Sequence, residues 1–135
     1  MRAIYNSFLA GLEDYSLDER GDVGSWVRIA CVKAITDFSS LFLTGDPSIS
    51  RLADYLPAEK FHEGVAGILK QGVERLDNVR QQAGQQVIRL LALSEKAPSG
   101  WRIHSDELMR ELFCRCAWLL KLFCSAVVEA QTYLQ

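Results

Sequence analysis

Apolar residues recur at three- and four-residue spacings along almost the whole chain. Near the start, Ile4, Phe8 and Leu12 fall at i, i+4 and i+8, and Tyr5 and Leu9 widen the stripe. That periodicity predicts an amphipathic helix over residues 2–13. Residues 14–24 read Asp-Tyr-Ser-Leu-Asp-Glu-Arg-Gly-Asp-Val-Gly, a charged run with two glycines that predicts a loop. Asp22 is a candidate N-cap for the next helix, because its carboxylate can accept orphan backbone N–H groups. Behind it Val23, Trp26, Val27, Ala30, Ala34, Ile35, Phe38, Leu41 and Phe42 keep helical spacing until Gly45-Asp46-Pro47 stops the run.

A shorter helix is expected over 47–56, with Pro47 at its first position and Ile49, Leu52, Ala53 and Leu56 on its apolar side. Pro57 or Ala58 opens another, burying Phe61, Val65, Ile68 and Leu69. Gly64 and Gly67 lie inside it, each at a cost of about 1 kcal/mol relative to Ala, which points to close helix–helix approach. A kink or turn is expected over 72–77, and then Val79, Ala83, Val87, Leu90 and Leu91 mark a further buried face. Residues 94–102 read as a loop. Ser105 can cap a last helix carrying Leu108, Leu112, Leu119, Leu122, Phe123, Val127 and Val128, whose second half is apolar on nearly every side. Alternating strand patterns and Asn-Gly or Asp-Gly hairpin turns are missing, so the predicted class is all-α.

Composition narrows this picture. The 135 residues give room for one domain or for two to three helical repeats. Apolar and charged fractions of 49% and 24% are those of a globular chain. A net charge of −2 offers no basic footprint, so nucleic acid is a poor partner. The first residues lack the apolar run of a secretory signal. Cys31, Cys114, Cys116 and Cys124 are therefore expected as reduced thiols in a cytoplasmic protein. The most apolar stretch, Cys116 to Val128, contains Lys121 and falls short of the roughly 20 residues that span a bilayer. Packing against protein is its expected role; peripheral membrane attachment through 112–128 is a weaker alternative.

Candidate chemistry is sparse. Cys114 and Cys116 sit at i and i+2, on opposite sides of a helix, and cannot easily share a metal. His62 and His104 accompany no nucleophile pattern, and the acid pairs Glu13-Asp14, Asp18-Glu19 and Asp106-Glu107 read as solvated helix ends or loops. The phosphate-cradling glycine loop is missing. No catalytic, cofactor-binding or metal-binding residue is assigned. Arg20-Gly21-Asp22 reads as a glycine turn before an Asp cap. Trp26 has two readings, core packing and an anchor for a protein partner.

Val27-Arg28 and Val79-Arg80 stand 52 residues apart, and Asp22 and Glu74 share that offset. Asp22, Val27, Arg28, Val79 and Arg80 form a candidate repeat signature, with Val facing the core and Arg bonding acids or carbonyls of the neighbouring unit. It resembles the HEAT-repeat pattern. The predicted architecture is an α-solenoid segment of HEAT/armadillo-like antiparallel helix pairs, which bury their faces only by stacking.

A more specific resemblance lies in Asp14-Tyr-Ser-Leu-Asp-Glu-Arg-Gly-Asp-Val-Gly-Ser-Trp-Val-Arg28 and in Glu74-Arg-Leu-Asp-Asn-Val-Arg-Gln-Gln-Ala-Gly84 with Val87 to Leu91. Both runs resemble the C-terminal domain of the tubulin-folding cofactor D (tubulin-specific chaperone D) family. The resemblance covers residues 1–113, and residues 114–135 read as a divergent apolar helix, so the chain looks like a fragment or truncated form. It implies a scaffold without an active site of its own, cytoplasmic and cytoskeleton-associated. Its implied partners are β-tubulin, the tubulin-folding cofactors C and E and an Arf-like small GTPase. The implied role is assembly of the α/β-tubulin heterodimer, with GTP hydrolysis by tubulin stimulated in the complex. The candidate partner surface is Asp14, Tyr15, Asp18, Arg20, Asp22 and Trp26. The alternatives are a helical-repeat adaptor unrelated to tubulin and an inactive fragment.

Overall fold

The computed structural model describes residues 2–44 and 52–103, without the side chains of Leu52 and Ala53. Helix α1 spans Arg2–Gly11 and α2 spans Gly24–Leu43. Strands β1 (Leu17–Asp18) and β2 (Gly21–Asp22) lie between them. Then come α3 (Leu52–Tyr55), α4 (Ala58–Gln71), α5 (Asp77–Lys96) and a 3-10 turn at Ser99–Trp101. Helices α1 and α2 form one antiparallel pair and α4 and α5 a second, and α2 lies against α5. The described fold is that of an all-α, HEAT-like solenoid segment. The last predicted helix, with Ser105, His104, Cys114, Cys116 and Cys124, lies outside the described residues, as does Ile49.

The core runs through all four long helices. Tyr5 of α1, Val32 and Ile35 of α2, Phe61, Val65 and Ile68 of α4, and Ala83, Val87, Leu90 and Leu91 of α5 form one buried cluster with Leu12, just past the end of α1, and with Leu56 and Ile103. Close approach of α1 to α4 explains two glycines. A Cβ at Gly64 would run into the Tyr5 hydroxyl, and one at Gly67 would lie 2.6 Å from Leu12 Cδ1. The Tyr5 hydroxyl faces Ser39 without a well-formed hydrogen bond, and burial pushes its pKa up to about 12. Phe8, Phe38, Phe42 and Tyr55 extend the aromatic packing, with Tyr5 and Phe38 ring centroids 5.3 Å apart.

Several sequence expectations change. Within α1 only Tyr5 is buried, flanked by the partly buried Phe8 and Leu9 and followed by the buried Leu12 just past the helix end, while Ile4 is exposed. In α2 the buried side carries Ser25, Arg28, Val32, Ile35, Thr36 and Ser39. Trp26, Val27 and Leu41 are exposed, so core packing of Trp26 and a core-facing Val27 are both overturned. The reason is that α2 is apolar on two sides, and only one of them meets α1, α4 and α5. Burying hydroxyls on the inner side costs little because they bond back to their own helix: Thr36 donates to the Val32 carbonyl (3.0 Å) and Ser39 to that of Ile35 (2.7 Å). Helix α5 buries the face its sequence predicts, Val79 included, but runs on to Lys96, so the following loop starts later.

The expected loop 14–24 contains a two-residue antiparallel ladder, Leu17 opposite Asp22 and Asp18 opposite Gly21. Glu19-Arg20 turn its corner, and Gly21 takes φ +107°, a conformation costly for other residues. A ladder this short leaves no alternating pattern to read.

Alanine at the two repeat-related valines separates their environments. Val79→Ala should lower the unfolding free energy by about 1–3 kcal/mol, and Val27→Ala by less than about 1 kcal/mol. Urea unfolding followed by circular dichroism measures both, and equal costs would mean that Val27 is covered. Gly64→Ala should destabilise by about 1–3 kcal/mol in the same assay, since the Tyr5 ring must shift to admit the methyl group.

Candidate partner surface

The connections between the helices of each pair emerge at one end of the molecule, where residues 12–24 meet residues 70–77. The first connection is held by its own carboxylates. Asp14 Oδ1 accepts from the Ser16 backbone N–H (3.0 Å) and hydroxyl (2.6 Å). Asp18 accepts from the Arg20 backbone N–H (2.7 Å) and from its guanidinium (2.6 and 2.9 Å). Asp22 Oδ1 accepts the Ser25 N–H at 2.9 Å, tying the first turn of α2 although the helix itself starts at Gly24. At Gly24 the chain passes so close to the Asp14 carbonyl that a side chain would collide with it.

Arg28 joins these pieces. Its guanidinium donates to the Asp14 carbonyl (2.6 Å) and to both oxygens of Asp22 (3.2 and 2.8 Å). The Tyr15 ring covers it at 4.2 Å. The Arg28 side chain is 0% exposed while that of Asp22 is 23% exposed, so the ion pair is shallow but sheltered on the arginine side. Hydrogen bonding to Asp22 raises the Arg28 pKa, against the opposing effect of burial. The same bond, set against partial desolvation, lowers that of Asp22. Asp14 is lowered by its Ser16 bonds and Asp18 by Arg20.

Tyr15 then reaches the second pair. Its hydroxyl donates to Glu74 Oε1 at 2.5 Å, a bond that raises the phenol pKa. Lys70 bridges to Glu13 (2.7 Å) and the Gln71 amide donates to the Leu12 carbonyl (3.0 Å). Farther along, Arg89 of α5 reaches Asp37 of α2 at 2.8 Å. Arg28 bonds within the first pair and Arg80 within the second, in contrast to the expected bond to a neighbouring unit. Arg80 bonds the carbonyls of Glu74 (2.8 Å) and Arg75 (2.9 Å) and the carboxylate of Asp77, all at the start of its own helix pair's second member.

Asp14, Tyr15, Asp18, Arg20, Asp22 and Trp26 thus come together at this end, with the Arg20 guanidinium 5.4 Å from the Trp26 ring. Sequence reasoning missed the other contributors: Leu17, Val73 and Leu76, which are exposed apolar residues here, and Lys70, Gln71 and Glu74, which anchor the loop. Exposed apolar side chains in a turn carry no periodicity. A bond between residues 59 apart, such as Tyr15 to Glu74, has no local signal.

The turn end exposes apolar side chains among charges that are held by hydrogen bonds. Cys31 is not poised as a nucleophile, since desolvation, and to a lesser degree Asp14, raise its pKa. His62 lies 2.9 Å from the Gly100 carbonyl, away from this end. Among the described residues no group of three potential metal ligands gathers, and no helix is long and apolar enough to cross a membrane.

Fold and side-chain arrangement define a helical-repeat segment whose turn end is cross-linked by hydrogen bonds. The family model for the tubulin folding cofactor D C-terminal region matches residues 62–130, and the chain belongs to that family. Tubulin-specific chaperone D of Dictyostelium discoideum is 26% identical over 117 residues, covering 79% of this chain and 8% of that protein. The chain spans less than a tenth of that relative's length, and the aligned share is too large to lie within residues 62–135 alone. The family match includes residues 114–130, which the resemblance read from the sequence leaves out. No solved structure matches.

Acid should loosen this end. The carboxylates of Asp14, Asp18 and Asp22 have folded-state pKa values below their unfolded ones. Their stabilisation is complete above the unfolded value, about 4, and is lost as pH falls through the lower folded values. The urea midpoint should therefore drop as pH is taken from about 5 to about 2. Asp22→Asn should lower it at neutral pH and flatten that acid limb; an unchanged limb would remove Asp22 from the linkage.

Proposed function

We propose that this chain is a scaffold module in tubulin folding, which holds β-tubulin after its release from the chaperonin while the α/β heterodimer is assembled. It works beside the tubulin-folding cofactors C and E and an Arf-like small GTPase, in the cytoplasm and at the cytoskeleton. Membership of the cofactor D family carries this reading. A relative bearing the name tubulin-specific chaperone D supports it. The turn end is the docking surface. Its exposed Leu17, Trp26, Val73 and Leu76 supply apolar contact. Arg20 and the carboxylates of Asp14, Asp18 and Asp22 are already fixed by internal bonds, so docking orders few side chains. The module is not an enzyme; any stimulation of GTP hydrolysis acts through groups that tubulin and the assembly provide.

Immobilised chain should capture β-tubulin together with cofactors C and E from defined mixtures. Leu17→Lys combined with Val73→Lys, both at strongly exposed positions, should cut capture at least tenfold while leaving the circular dichroism spectrum and melting unchanged. A folded chain that captures none of these proteins would instead be a general helical-repeat adaptor or an inactive fragment.

A further inference from the structure

Helix α4 has two flanks beside its buried row of Phe61, Val65 and Ile68. One flank carries Glu63, Gly67 and Lys70 and faces α1, where Gly67 approaches Leu12 and Lys70 reaches Glu13. The opposite flank carries Ala58, His62, Ala66 and Leu69 at helical spacing, with no acid, lysine or arginine among them. Ala66 is exposed and the other three are half-buried. On α5, Gly84 and Ile88 stand one turn apart on the side turned from Arg89, which reaches α2. Among the described residues nothing lies within 4 Å of where a Cβ at Gly84 would stand.

The chain leaving α5 is fixed at the start of this flank. The Gly100 carbonyl is 2.9 Å from His62 Nε2, and a Cβ at Gly100 would be 3.7 Å from that of Ala58. Trp101 Nε1 donates to the Leu56 carbonyl at 2.9 Å, and the Ile103 N–H donates to Ser94 Oγ at 2.6 Å. Residue 104 is thereby delivered to the N-terminal end of α4. From there the sequence predicts a helix opening at Ser105, and its first part is one-sided. Leu108, Met109, Leu112, Phe113 and Cys116 share one face, whereas Glu107, Arg110, Glu111 and Cys114 fall on the other. The one-sided part, 105–118, matches the 14 residues of α4 in length.

We propose that residues 105–118 of this chain cover this flank of α4, running beside it in the same direction, as α4 runs beside α1. Stacked helix pairs grow in this way, each first helix lying along the one before it. Ala58, Ala66 and Gly84 are small enough to admit a close neighbour, and Leu69 and Ile88 offer it apolar contact. The family match runs over 62–130, so it takes in most of α4, all of α5 and this segment together.

Thiol labelling of the full 135-residue chain tests this, because Cys114 and Cys116 lie on opposite sides of the segment. With iodoacetamide, followed by peptide mass spectrometry, Cys114 should react at least about tenfold faster than Cys116, and urea should abolish the difference. Ala66→Arg, at an exposed position, should bring Cys116 close to the rate of Cys114 while unfolding in urea stays cooperative. Equal rates in the folded wild type overturn the proposal. So does protection of Cys116 that Ala66→Arg leaves intact, which would mean that another face holds the segment. Protection that fades on dilution overturns it too, by making a second copy the occupant.

Discussion

The Arg28 guanidinium is the contact on which the turn end depends. It is a buried charge, and a buried charge is tolerated only when its donors are matched. Asp22 neutralises it and the Asp14 carbonyl takes a further N–H, so both terminal nitrogens are matched and only Nε is left without a partner. Satisfying Arg28 therefore draws both ends of the α1–α2 connection onto the first turns of α2. Once those ends are placed, the hairpin between them has little freedom, and Gly21 and Gly24 supply the backbone shape and clearance it needs. Tyr15 lies over the guanidinium as a consequence, and its hydroxyl is delivered to Glu74. One charge pair thus sets a loop, and the loop sets the joint between two helix pairs.

That joint matters for a solenoid, whose units gain stability mainly from their neighbours. Here the apolar contact of α2 with α5 and of α1 with α4 is supplemented at one end by three polar links, Tyr15–Glu74, Lys70–Glu13 and Gln71–Leu12. Tyr15–Glu74 and Lys70–Glu13 are exposed and worth little alone, whereas the Gln71–Leu12 bond is buried. Together they give the joint a register that apolar packing does not specify. A joint tied this way also holds the side chains of the turn end to one another.

Much of the architecture was legible in the residues. Val79, Ala83, Val87, Leu90 and Leu91 mark the buried side of α5 and lie there. Gly64 and Gly67 mark where α1 and α4 come close. The turn-end residues were legible as a group because they are contiguous from Asp14 to Trp26. Their anchors were not, because Lys70 and Gln71 come from the last turn of α4 and Glu74 from the connection after it, and they reveal themselves only when the two pairs stack.

Helix α2 shows where sequence stops deciding. Its apolar positions surround much of the helix, so periodicity establishes that a helix forms but not which side faces inward. The sequence by itself determined an all-α chain, the order and approximate extent of its helices, and the family to which they belong. The tertiary structure alone decided that Arg28, Thr36 and Ser39 turn inward while Trp26, Val27 and Leu41 turn outward. Burial is a property of neighbours: α1, α4 and α5 all stand on one side of α2, and polar groups that can satisfy themselves locally are admitted there more cheaply than a second apolar stripe can be covered.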